Sequence, residues 1–219
     1  MNKRNRMSSK YDAILYDLDG TITDSIPLIM NCFHLAYMNV MGEVPRTDED
    51  LMSYIGKPLI STFSDVHDEK TAQALFEAYL NVNEKMLANN ELKLFDGVMD
   101  SLIRLHEAGV RQGIVTSKRR VSLMYTIDLN NMGYLFEQLT VMEDTKEHKP
   151  SGEPLIYSAR QMGIDDMSRI LYVGDATVDY QCALNCGADF ALVDWTRMNK
   201  ADFYQYGTPR ILTSLDELL

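Results

Sequence analysis

A chain of 219 residues with 46% hydrophobic content can bury one sizeable core, or a core domain carrying a smaller inserted one, and is too apolar for disorder. Its formal net charge of -11 speaks against nucleic acid and anionic membrane surfaces as partners. It does not exclude an anionic substrate, because a bound metal ion inverts the field locally. No run approaches the roughly eighteen apolar residues of a membrane span.

At the start of the chain Lys3, Arg4, Arg6 and Lys10 lack the apolar stretch of a signal peptide and read as a frayed basic tail. The first element is the apolar run Ala13-Ile14-Leu15-Tyr16, expected to be a buried strand. It leads into Asp17-Leu18-Asp19-Gly20-Thr21, where the glycine marks a turn. Two carboxylates therefore emerge at the carboxyl end of a strand, where open α/β sheets form their ligand crevices. Placing them together calls for a cation or a shared proton. An Asp-x-Asp-Gly sequence also begins a calcium loop, but the twelfth position from Asp17 holds Leu28 where a bidentate Glu is required.

Residues 24–94 read as helices without a convincing strand, over 27–41, 48–55 and 69–88, with hinges expected at 23–25 and 92–96. The rhythm of strand and helix then resumes. Apolar runs at 113–115, 170–173 and 190–193 end in Thr116-Ser117-Lys118, Gly174-Asp175 and Asp194. Helical patterns at 98–106, 119–129, 152–162 and 178–186 alternate with them, three of them stopped by Gly109, Gly163 and Gly187. This alternation predicts an α/β fold with a Rossmann-like parallel sheet core (1–22 and 95–219) and an inserted all-helical domain (23–94). Three cysteines, Cys32, Cys182 and Cys186, form an odd count without metal-finger spacing and read as reduced, mostly buried thiols, which fits a cytoplasmic setting.

Asp17-Leu18-Asp19-Gly20-Thr21, Thr116-Ser117, Lys149-Pro150 and Gly174-Asp175 with Asp179 occur in that order, with the helical insertion after the first. The set resembles the haloacid dehalogenase-like phosphatase superfamily over nearly the whole chain, and the insertion looks like the cap of its phosphoglycolate phosphatase-like branch. The resemblance implies a phosphatase acting through a phospho-aspartate. Asp17 would be the nucleophile and Asp19 the acid and base. Mg²⁺ would be held by Asp17, Asp175 and Asp19 through its backbone carbonyl, with Asp179 in the metal set directly or through water. Thr116 would bind the transferring phosphoryl group and Lys149 would neutralise it. Gly20, Thr21 and Ser117 would line the phosphate site, and Lys57, in the loop Tyr54-Ile55-Gly56-Lys57-Pro58-Leu59, would read the substrate.

Plainer roles stand beside these. Thr116 or Ser117 could cap the next helix, Asp179 could be a first-turn helix carboxylate, and Lys57 could be solvated. Lys146 competes with Lys149 but does not match the motif, and His34 and Arg46 are weaker substrate candidates. Two positions depart from the family pattern: Gly152 stands where a proline is usual, and Ala176 where Ser or Thr is usual. The expected substrate is a small anionic phosphorylated compound, phosphoglycolate-like, or pyrophosphate, handled by a monomer or homodimer. A phosphosugar mutase and a non-catalytic phosphate-binding protein are the competing readings of the same scaffold.

Overall fold

The computed structural model describes residues 10–89 and 92–219; Lys3, Arg4 and Arg6 of the basic tail lie outside the described residues. The first apolar run forms β1 (Ala13–Tyr16), buried at all four positions as a strand covered on both faces must be. The other three runs form β2 (Gln112–Val115), β4 (Ile170–Gly174) and β5 (Asp189–Val193). Two further strands, β3 (Gln138–Thr140) and β6 (Arg210–Leu212), have no counterpart in the sequence reading. Three residues are too few to display a period, and each strand exists because a neighbour offers it a hydrogen-bonding edge. The six strands of the described residues are all parallel, in the order β3-β2-β1-β4-β5-β6.

Alternation along β1 assigns its two faces. Ile14 and Tyr16 pack with Leu102 and Leu105 of α5 (Val98–Glu107) and with Leu123 and Ile127 of α6 (Arg120–Leu129). Ala13 and Leu15 pack with Leu155 and Ala159 of α7 (Glu153–Gln161) and with Cys182 and Ala183 of α8 (Thr177–Cys186). The chain leaves β1 for β2 on one side and later fills β4 on the other. The carboxyl end of β1 is thus the switch point of the sheet, where a crevice opens.

Among the described residues, four helices with a core of their own stand between β1 and α5: α1 (Ile26–Met41), α2 (Asp48–Met52), α3 (Leu59–Ser64) and α4 (Glu69–Ala88). Phe33 of α1 anchors it, with ring centroids 5.8 Å from Tyr54, 5.9 Å from Phe63 and 5.0 Å from Tyr79. The helix expected over 48–55 ends at Met52, because the Ser53 hydroxyl donates to the Asp50 carbonyl at 2.6 Å and Gly56 takes φ 86°. Pro58, free of an amide proton, then opens α3. The two passes joining this module to the sheet run side by side, Asp24 N donating to Lys93 O at 2.8 Å and Phe95 N to Ile22 O at 3.1 Å.

Candidate active site

Asp17 leaves β1 just past its last paired residue and stays tied to the sheet, its amide donating to Val173 O at 2.9 Å. The chain then turns sharply. Ile22 N and Thr23 N both donate to Leu18 O, and Gly20 adopts φ 81°, a left-handed value open to glycine without strain. Gly20 is also required by proximity: a Cβ there would lie 2.1 Å from Asp175 Oδ2. That tight turn lets the loops after β1 and β4 touch.

The centre of the site is a buried cluster of charge. Asp17 (4% exposed), Asp175 (1%) and Asp179 (1%) bring carboxylate oxygens within 4.8 Å of one another. Lys149, 4% exposed, donates to Asp17 Oδ1 at 2.7 Å, to Asp179 Oδ1 at 2.7 Å and to the Tyr172 hydroxyl at 3.0 Å, using all three of its N–H bonds. Burial alone would push the Lys149 ammonium pKa down; the charges of Asp17 and Asp179 outweigh it and hold it up. Burial drives Asp17 the other way, from 3.8 to about 7, against the pull of Lys149 and with Asp179 and Asp19 adding to the rise. Asp175 is pushed well above the usual carboxylate range, first by burial and then by Asp179 and Asp17.

Three carboxylates against one ammonium leave a formal charge of about minus two in a buried space, which a single divalent cation would complement. Asp175 Oδ2 is buried and has no hydrogen-bond partner, and an orphaned carboxylate oxygen of this kind is a donor awaiting a ligand. The donor set is all oxygen and suits a hard cation. Both oxygens of Asp179 are already engaged: Oδ1 by Lys149 and Tyr172, Oδ2 by the amides of Ala176 at 3.0 Å and Asp175 at 3.3 Å. Asp179 therefore also performs the capping expected of a first-turn carboxylate, and does so where Ala176 offers no hydroxyl.

Above this cluster lies a cleft between the sheet and the helical module, lined by Asp17, Asp19, Thr116, Ser117 and Lys118 below and by Lys57 and residues of α1 and α4 above. The structure brings Asp17, Asp19, Thr116, Ser117 and Lys57 to one cleft, with Lys149, Asp175 and Asp179 beneath it. Thr116, at the end of β2, accepts from Lys118 N at 3.2 Å and does not cap α6; the first amide of that helix donates instead to the Glu143 carboxylate at 3.0 Å. Ser117 donates to Gly56 O at 2.8 Å, so it joins the sheet to the loop that carries Lys57.

Other residues singled out in the sequence lie elsewhere. Thr21 is fully buried and is not among the cleft-lining residues; its carbonyl accepts from Trp195 Nε1 at 3.0 Å. His34 pairs with Asp48 at 2.8 Å on the outer surface, and Arg46 stands near His67, whose pKa it lowers after burial has done so; neither lines the cleft. Lys146 is exposed. At Gly152 the departure from proline has a packing reason, since a Cβ would lie 2.7 Å from Cys186 Cβ. Cys32 and Cys182 are buried, and Cys182 donates to Ser151 O at 2.9 Å.

Two participants escaped sequence reasoning. Lys118 Nζ lies 3.1 Å from Asp19 Oδ1, and the only signal for it was its place directly after Thr116-Ser117. Tyr172, inside a buried strand, looks like any core tyrosine until Lys149 is found on its hydroxyl.

Residues 14–193 match the haloacid dehalogenase-like hydrolases, and the chain belongs to that family. A pyrophosphatase, PpaX of Bacillus velezensis, is 30% identical over 210 residues, covering 94% of each chain. The solved structure described as a haloacid dehalogenase-like hydrolase from Bacteroides fragilis superposes with a TM-score of 0.85 at 28% identity, over 96% of this chain and 100% of that one. One described as a phosphoglycolate phosphatase from Lactobacillus plantarum gives 0.83 at 21% identity, over 96% and 100%, and shares the fold. No described helix is long and apolar enough to cross a membrane.

Proposed function

We propose that this family phosphatase hydrolyses a small phosphate monoester through a phosphorylated Asp17. The observation that carries the reading is the pairing of buried Asp17 with Lys149 at 2.7 Å at the foot of a cleft that Asp19 also lines. Lys149 opposes the effect of burial on Asp17 and favours the ionised form that attacks phosphorus. As the bond from phosphorus to the leaving oxygen breaks, Asp19 gives that oxygen its proton. The same carboxylate then takes a proton from the water that hydrolyses the acyl phosphate, releasing inorganic phosphate and restoring Asp17.

Thr116 donates to the transferring group, and Lys118 holds the Asp19 carboxylate toward the leaving oxygen. Asp17, Asp175 and the Asp19 carbonyl would hold Mg²⁺, which supplies charge neutralisation for the phosphoryl oxygens when bound. Asp179 positions Lys149 and closes the loop after β4. The four helices over the cleft act as a cap that excludes water and reads the leaving group. Inorganic pyrophosphate is the second reading, supported by the relative that bears that name.

The decisive experiment is phosphate release with Mg²⁺ across a substrate panel, repeated with Asp17→Asn. Turnover should vanish in the variant. Acid quench of the native enzyme should leave a fraction of chains heavier by one phosphoryl group, with the added mass on the peptide containing Asp17. Native-like turnover in the variant would remove Asp17 as the nucleophile.

A further inference from the structure

The floor and the roof of the cleft have opposite character. The floor carries carboxylates, Thr116 and Ser117. The roof is almost wholly apolar, built from Phe33 on α1, Tyr54 in the loop after α2, Leu59 on α3, and Phe76, Tyr79 and Leu80 on α4. Phe33 and Tyr79 are buried members of the cap's core. Tyr54, Leu59, Phe76 and Leu80 pack against that core while remaining only partly buried, and the surface they leave open faces the cleft.

Polar chemistry in the roof is sparse. Asn83 is 5% exposed, and its amide nitrogen has as partner the sulfur of Cys32 at 3.8 Å, a weak acceptor that leaves the amide available to a ligand. Three cations line the cleft. Lys118 is paired with Asp19 and Arg119 lies 3.8 Å from Glu143. Among the described residues Lys57 has no carboxylate within ion-pair distance, and it is exposed at the edge rather than set in the roof.

We infer that the leaving group of the true substrate is an organic alcohol with a mainly apolar body, seated against Tyr54, Leu59, Phe76 and Leu80 with Asn83 reading one polar atom on it. The inference rests on the phosphatase reading above and narrows its substrate class. The physical reason is desolvation. A phosphate leaving group, as from pyrophosphate, would be pressed mostly against hydrocarbon, with one amide and two tyrosine hydroxyls but no cation set in the roof to replace its water, which is unfavourable. An apolar body gains from the same contact. Lys57 and Arg119 at the mouth attract the phosphoryl dianion without having to hold the leaving group.

The test uses straight-chain alkyl phosphates from ethyl to hexyl, whose leaving oxygens are alike in reactivity, alongside inorganic pyrophosphate, with the full chain in Mg²⁺. The expected result is a kcat/KM that rises by up to about fourfold per added methylene until the roof is covered, and a hexyl ester preferred to pyrophosphate. Phe76→Ala and Leu80→Ala should each flatten that slope. Because the slope is a ratio within one protein, a general loss of activity does not imitate it. Phosphate release with no dependence on chain length, or with pyrophosphate preferred, overturns the inference and leaves the phosphatase reading standing. A full slope retained in both variants overturns its assignment to this roof. No phosphate released from any compound overturns both.

Discussion

Asp17 is the residue at which its proposed role as nucleophile and the stability of the fold oppose each other. Its carboxyl is raised to about 7, chiefly by burial, although Lys149 holds it. A carboxyl whose folded pKa lies above its unfolded value binds more protons in the folded state. Its contribution to stability is therefore lost as pH rises between about 4 and 7. Asparagine at this position keeps an oxygen for Lys149 and carries no charge. In EDTA, Asp17→Asn should melt above the native protein at neutral pH. The advantage should shrink toward pH 4. Thermal melts of both proteins across that range check it, and a pH-independent difference would show that Asp17 is not the source. Gly20 is the other sensitive residue. Gly20→Ala combines a left-handed φ with a Cβ driven into Asp175, and should cost about 1–3 kcal/mol as well as most of the turnover. The melting temperature and kcat would be read on one preparation.

At the scale of elements, the loop from Tyr54 to Leu59 couples the two halves of the cleft. Gly56 offers its carbonyl to Ser117 and cannot easily become alanine, since a Cβ would lie 2.8 Å from Val178 Cγ2 and its φ is 86°. The helical module thus rests on the loops after β2 and β4, and Lys57 is carried to the cleft by that contact. An ion contact to substrate is worth about 1.5–3 kcal/mol when dry, and less at an exposed lysine. Lys57→Ala should therefore raise KM for the preferred substrate by about tenfold with little change in kcat, a pattern that steady-state kinetics separates from a catalytic role. Equal KM in mutant and native enzyme would leave Lys57 as a solvated surface residue.

For the whole molecule, the surplus negative charge beneath the cleft couples metal binding to folding. A cation that binds the folded chain at a hundred times its Kd adds about 2.7 kcal/mol. For a chain of this size that is a rise of about 5–11 °C in melting temperature. Calorimetry in Mg²⁺ and in EDTA should show it, and Asp175→Asn, which removes the orphaned oxygen, should abolish most of it. An identical melt with and without Mg²⁺ would argue against a structural grip on the ion.

How much of this was legible without coordinates differs from place to place. The four apolar runs of three or four residues became strands at their expected positions, because a strand buried on both faces is written as a continuous apolar segment. Asp17, Asp19, Lys149 and Asp175 could be named because each lies just past an apolar run or in a motif with fixed local spacing, and the sheet carries such positions to one edge. Local sequence could not supply what depends on partners distant in the chain. β3 and β6 are strands only beside β2 and β5. Tyr172 belongs to the site only because Lys149, 23 residues before it, reaches its hydroxyl. Lys118 matters because Asp19 stands opposite. The apolar roof exists because three helices and one loop of the inserted module converge over a sheet edge, a surface made by packing rather than by periodicity. Which groups gather at the foot of the cleft is thus a property of short segments, readable from their order. The shape and polarity of the space in which they react arise from long-range contacts, and only the folded chain decides them.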